Sequence, residues 1–239
     1  MAAKAIAEEE RNEEVITTGH GEIDKKLGGG IPMGSLILIE GQSDAGKSVV
    51  SQQLIWGSLT GNHRVMLFTN ENTVKSMNTQ MESLGLSILD SLLMGYIKIF
   101  PIESSHMKED NALDGIIHSI RLFSEYNLIV VDSLTPIVAH ATTDQVIAYF
   151  EKCKKLCVQR KTIINTAHTY AFDEQLLIRI RSACDAHLRL RIEEVGDKLI
   201  KVLEVAKVRG ADKNTGNVVS FDVDPGIGMR VMPMGKAKA

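Results

Sequence analysis

Only three cysteines, Cys153, Cys157 and Cys184, occur in 239 residues. An odd count without framework spacing excludes a disulfide-stapled secreted domain. Cys153 and Cys157 stand four apart and share a helix face, but further Cys or His ligands are lacking nearby, so free thiols in a reducing cytoplasm are expected. No uninterrupted apolar run approaches the roughly 20 residues that cross a bilayer. The opening "MAAKAIAEEERNEEV" is too acidic for a secretory signal. A basic excess is missing as well: 27 Lys and Arg against 30 Asp and Glu leave a net charge of −3, a poor footprint for a nucleic-acid binder. No linker, low-complexity segment or internal repeat divides the chain. What remains is an ordinary globular composition, 44% apolar and 24% charged, long enough to bury a sizeable core.

Patterning predicts a single α/β domain. "LILIEG", "RVMLFT", "YIKIFPI", "NLIVVDS" and "KTIINTA" read as strands, "NLIVVDS" too apolar for anything but a sheet covered on both faces. Between them lie amphipathic stretches: "KSVVSQQLIWGSL" to about Gly61; "TVKSMNTQMESLG" with Met77, Met81 and Leu84 on one face; "NALDGIIHSIRLFSEY"; and "TTDQVIAYFEKCKKLCVQR". Strands alternating with helices imply a mainly parallel sheet flanked by helices. The character then changes. "AHLRLRIEEVGDKLIKVLEVAKVRG" and "NVVSFDVDPGIGMRVMP" alternate around Val195-Gly196-Asp197 and Asp224-Pro225-Gly226, which predicts two C-terminal antiparallel hairpins. The expected organisation is a flexible acidic tail over 1–17, one domain over 18–233 and a short tail over 234–239.

The informative stretch is "GQSDAGKS", a Gly41-x-x-x-x-Gly46-Lys47-Ser48 pattern between a strand and a helix. Glycines permit a tight turn whose N–H groups cradle phosphate oxygens, and the helix beginning at Lys47 adds its dipole. Gly41, Gln42, Ser43, Asp44, Ala45, Gly46, Lys47, Ser48 and Val49 make up the expected cradle for ATP, with Lys47 reaching the β- and γ-phosphates and Ser48 binding Mg²⁺. Asp44 is out of place beside phosphates, and its side chain is expected to face away. Asp132 closes an apolar strand, where a carboxylate can hold the Mg²⁺. Hydrolysis further needs a carboxylate to activate water and a positive charge for the transition state. Glu71 in "TNENT" is the candidate for the first, and an exposed loop glutamate is its plain alternative.

"TGHGEIDKKLGGGIPMGSLILIEGQSDAGKS", "LIVVDS" and "LEVAKVRG", in this order, resemble the RecA/KaiC-like ATPase family over Thr18 to Pro233. The resemblance implies a RecA-like P-loop fold and ATP bound near subunit edges of a hexameric ring. KaiC-like relatives place two adjacent glutamates after the second strand, the second thought to activate water. The corresponding pair here is Glu71-Asn72, a degraded pair, since an amide takes no proton from water at neutral pH. In the same relatives a K-x-R-G segment reaches a neighbour's γ-phosphate, which assigns that part to Lys207 and Arg209 of "KVRG". His168 and Thr166 fall where RecA-like proteins keep a γ-phosphate sensor; a satisfied loop histidine is the level alternative. Arg179 and Arg181 stand where recombinases contact DNA, but charges facing solvent or a neighbour suit the acidic total better.

The stretch from Cys184 to Met229 is closer still to the accessory branch serving the archaeal flagellum (archaellum) motor. That likeness implies the motor ATPase FlaI, the platform protein FlaJ and the ring-forming FlaX as partners, with membrane contact only through them, at the cytoplasmic face. The expectation is an ATP-binding regulatory component with slow or absent hydrolysis. An autonomous KaiC-like ATPase is the alternative, and a RecA-type DNA-binding protein a more distant one.

Overall fold

The computed structural model describes residues 15–103, 112–196, 198–210 and 217–232. Its backbone is a nine-stranded sheet in the order β11-β10-β9-β8-β3-β7-β6-β4-β5. Here β3 is Leu36–Gly41, β4 Val65–Thr69, β5 Ile97–Pro101, β6 Leu128–Asp132, β7 Thr162–His168, β8 Ala186–Val195, β9 Lys198–Val208, β10 Val218–Asp224 and β11 Gly228–Met232. Strands from β8 through β3, β7, β6 and β4 to β5 run parallel, and β8 to β11 are joined antiparallel. β3, β4 and β6 are buried along their whole length, as continuous apolar runs require when both faces are covered.

The two faces carry separate cores. Ile37, Ile39, Leu67 and Val130 point to one, where they meet α2 (Lys47–Thr60) and α3 (Val74–Ser83) through Leu54, Ile55, Met77 and Met81. Leu36, Leu38, Met66 and Val131 point to the other, beneath α5 (Ala112–Leu122), α7 (Thr143–Val158) and α8 (Glu174–Ala183). This is the period-two alternation of a sheet with both faces buried. Each fully buried Ile or Leu contributes about 1.5–3 kcal/mol, so the two layers hold the central strands firmly. Cys153, Cys157 and Cys184 are buried free thiols in the second core, and burial pushes the latter two up to about 12.

Short elements complete the chain: β1 (Val15–Ile16), α1 (Gly21–Lys26), β2 (Ile31–Pro32), α4 (Leu89–Leu93) and α6 (Thr135–Val138). A tail ending at residue 17 is corrected here, because Val15–Ile16 pair with Ile31–Pro32 and Ile16 is fully buried. Residues 1–14 and 233–239, the rest of the expected tails, lie outside the described residues, as does Asp197 of the first hairpin turn. Both hairpins form, but β8 also pairs in parallel with β3. The antiparallel extension is therefore continuous with the parallel sheet.

Candidate nucleotide site

The segment between β3 and α2 is a loop wrapped around glycine. At Gly41 a Cβ would lie 2.4 Å from the Leu190 carbonyl oxygen, so only glycine lets the strand end this close to β8. Gly46 caps α2 at φ 94° with no side-chain cap, leaving first-turn N–H groups of the helix free for a ligand. Lys47 folds back over the loop. Its Nζ donates to the Gln42 carbonyl (2.7 Å) and lies 3.3 Å from His168 Nδ1. Burial lowers the Lys47 pKa, while Asp132, Glu71 and Asp44 favour its charge.

Asp132 ends β6 as a buried carboxylate. It accepts from Thr166 Oγ1 (2.6 Å), Ser48 Oγ (3.3 Å) and Ser51 Oγ (3.3 Å). Burial raises its pKa against those hydrogen bonds and the charge of Lys47, which lower it. Side-chain oxygens of Ser48 and Asp132 in mutual contact are a hard donor pair that fits Mg²⁺. Asn70 ties the ends of β4 and β6 together, donating to the Ser133 carbonyl (2.6 Å) and accepting from the Ser133 N–H (3.3 Å). That bridge fixes the backbone leading into Glu71.

These groups open on a cavity of about 610 Å³, lined by Ser43, Asp44, Gly46, Lys47, Ser48, Val49, Glu71, Asp132, Ser133, His168, Lys201 and Val223. Its size is that of an ordinary ligand pocket. Gly41, Gln42 and Ala45 shape the loop without lining the cavity. Thr166 is fully buried behind Asp132, so of the two sensor candidates only His168 reaches the cavity. The imidazole stacks on Tyr170 at 4.9 Å, and burial followed by Lys47 lowers its pKa.

Several expectations are corrected. Glu71 and Asn72 part company: Glu71 borders the cavity, whereas Asn72 turns to α3, donating to Gln80 Oε1 (3.2 Å) and accepting from Ser76 Oγ (3.0 Å). The physical reason is the capping box that Thr73 and Ser76 form immediately afterwards, which draws Asn72 onto the helix. Burial and then Asp132 raise the Glu71 pKa while Lys47 lowers it, and no described residue bonds to the carboxylate. Asp44 does not face away. It borders the cavity, adopts φ 59°, and its charge favours the cationic forms of Lys47 and His168.

Arg181 is no free surface charge either; its Nε donates to the fully buried Glu40 at 2.8 Å. Arg179 is exposed. Lys207 and Arg209 both clasp the end of α8, through the Arg181 carbonyl (2.8 Å) and the Ser182 carbonyl (3.3 Å). Arg209 follows the end of β9, and its N–H donates to the Asp185 carbonyl, beside Leu36 at the start of β3. Gly41, at the other end of β3, is five residues or about 17 Å away at ~3.3 Å per residue. Neither cation reaches its own chain's phosphate loop.

Lys201 and Val223, from the hairpins, were not foreseen. Lys201 alternates with the buried Leu203 and Val205, so a lysine on a core-facing register was the available signal.

Fold and site together define a RecA-like P-loop nucleotide-binding protein. A family model described as "ATPase: KaiC" matches residues 16–236. The chain is 30% identical to the archaeal flagellar ATP-binding protein FlaH of Sulfolobus acidocaldarius, covering 94% of this chain and 100% of that one. To FlaH of Methanocaldococcus jannaschii it is 31% identical, covering 90% and 94%. The crystal structure of the flagellar accessory protein FlaH from M. jannaschii superposes with a TM-score of 0.81 at 30% identity, covering 89% and 95% of the two chains. A KaiC-like protein of Pyrococcus horikoshii, PH0186, shares the fold at TM-score 0.75 and 18% identity, covering 92% and 99%. The chain belongs to the KaiC-type ATPases and, among them, to the FlaH family of archaeal flagellar ATP-binding proteins.

Proposed function

We propose that this chain binds MgATP, turns it over slowly or not at all as a single copy, and uses the nucleotide state to control assembly with the archaellum motor. The partners are the motor ATPase FlaI, the platform protein FlaJ and the ring-forming FlaX, met at the cytoplasmic face of the membrane. ATP, when bound with Mg²⁺, supplies a γ-phosphate whose presence or loss distinguishes two states. Lys47 and the loop N–H groups hold the phosphates, Ser48 and Asp132 hold the ion, and His168 faces the region of the terminal phosphate.

One observation carries this reading: Lys207 and Arg209 are tied to the end of α8, level with Leu38 and Leu36 of β3, three and five residues or roughly 10 and 17 Å along the sheet from Gly41. A lone copy thus brings neither Lys207 nor Arg209 to its own terminal phosphate to stabilise a transition state. Copies arranged head to tail in a ring would each lend that strand to a neighbour, which joins nucleotide state to assembly. Asn72 has no part in the slowness, since it lies outside the cavity.

A second reading, an autonomous KaiC-like ATPase, is favoured by Glu71, whose carboxylate borders the cavity where a base is needed. Capture of FlaI by wild type and Lys47→Ala, each with and without ATP, tests the first reading. Capture by wild type should depend on ATP and capture by Lys47→Ala should not; equal recovery in all four overturns it. Steady phosphate release near 1 s⁻¹ or above from dilute protein, about the rate of ordinary enzymes, establishes the second.

A further inference from the structure

We propose that Lys201 is a nucleotide-binding residue that holds the α-phosphate and ribose end of the ligand, for the di- and triphosphate alike. The inference rests on the nucleotide reading of the cavity and adds the part of the ligand that the phosphate-loop pattern leaves unassigned.

The cavity has two unlike walls. Glu71, Asp132 and His168 come from β4, β6 and β7, on one side of β3; Lys201 and Val223 come from β9 and β10, on the other. Lys47 is committed to the first wall. It stands 3.3 Å from His168 Nδ1, and Asp132 and Glu71 are the strongest charges acting on it. The Mg²⁺-binding pair, Ser48 and Asp132, belongs there too. A triphosphate whose terminal groups are held at that wall must continue across the loop towards the second.

Lys201 stands where that continuation leads. Its stem packs on the last loop glycine, with Cδ 3.4 Å from the place a Gly46 Cβ would occupy, beside the Phe221 ring at 3.0 Å. The ammonium is thereby carried past Gly46 into the cavity. Among the described residues no carboxylate or carbonyl pairs with it. Lys201 is half-buried on the core-facing register of β9, and its ammonium borders the cavity with its donors available to an anion that a ligand supplies. The ammonium offers three donors and a compact charge, which suits a phosphate oxygen. Val223 adds an apolar surface on the same wall for the sugar or base.

Titration calorimetry with ATP and with ADP, each with Mg²⁺, tests this on wild type, Lys201→Met and Lys201→Ala. Methionine retains the stem packing on Gly46, so its thermal midpoint without nucleotide should stay near wild type. Both variants should weaken ATP and ADP by the same factor, roughly tenfold to a hundredfold, the range for a hydrogen bond to a charged group. Wild-type affinity in Lys201→Met overturns the proposal, because packing alone then explains any loss in Lys201→Ala. A loss confined to ATP also overturns it, by placing Lys201 at the terminal phosphate. Failure of the wild type itself to bind either nucleotide is a different result, removing the reading of the cavity rather than the part assigned to Lys201.

Discussion

Glu71 and Asn72 are adjacent in sequence and separate in space, and the separation decides which of them chemistry can use. Only Glu71 borders the cavity, with no hydrogen-bond partner for its carboxylate among the described residues; Asn72 is spent on Gln80 and Ser76. Glu71→Gln should therefore reduce whatever phosphate release the protein shows by about a hundredfold, the lower end for a lost general base. Asn72→Ala and Asn72→Glu should both stay within about twofold of wild type, since neither side chain would face the phosphates. Malachite-green phosphate assays on the three variants check this, and a gain in Asn72→Glu would return Asn72 to the site. A second residue-scale prediction concerns Glu40, one position before the loop. Burial pushes its carboxyl up, but His187 and Arg181 together hold it below its ordinary value of 4.5. A depressed folded pKa gives stability that is present above the unfolded value and lost as pH falls through the folded one. Arg181→Ala leaves a fully buried carboxylate with less compensation, and should lower unfolding stability at pH 7 by about 3 kcal/mol in urea titration. Its deficit relative to wild type should shrink below pH 4.5 as Glu40 becomes neutral in both proteins.

At the scale of elements, what fixes the approach of Glu71 is the start of α3. Thr73 Oγ1 accepts from the Ser76 N–H (3.1 Å) and Ser76 Oγ accepts from the Thr73 N–H (2.9 Å), so the helix begins at a defined residue. Thr73→Ala should lower stability by about 1 kcal/mol, readable as a shifted urea midpoint at unchanged slope. The long elements were legible because their apolar periods are long: Leu113, Ile116, Ile117 and Ile120 mark α5 without ambiguity, and all four are buried. α4 and α6 were not read. Five and four residues are too few for a period to show; α6 buries Ile137 and Val138, whereas α4 buries none of its residues. The double pairing of β8 was hidden for another reason. Alternation tells which face a residue takes, and says nothing of which strand lies alongside. The phosphate loop was legible as a motif, whereas the wall holding Lys201 and Val223 depends on that unseen pairing, which brings β9 and β10 up beside the loop. Family likeness aligns Asn72 along a strand end and says nothing of the helix start onto which its side chain turns, towards Gln80 and Ser76.

The phosphate-loop motif stands at one end of β3, and Lys207 and Arg209 lie along the sheet towards the other. Under the proposed function the two ends meet only between copies, and complementation separates that arrangement from a site complete in one chain. Glu71→Gln has an intact Lys207–Arg209 strand to lend, and Lys207→Ala/Arg209→Ala has an intact Glu71 to receive it. Each alone should be nearly inactive in phosphate release, while both still bind ATP, since neither touches Lys47 or the loop. Mixed one to one under assembling conditions, about a quarter of head-to-tail interfaces unite the two intact halves. Activity should then reappear at roughly that fraction of the wild-type rate, and should fall on dilution as the interfaces part. A mixture as inactive as its components would mean that Lys207 and Arg209 do not act across a subunit boundary. Full activity in the double variant alone would mean that a single chain carries everything its chemistry requires.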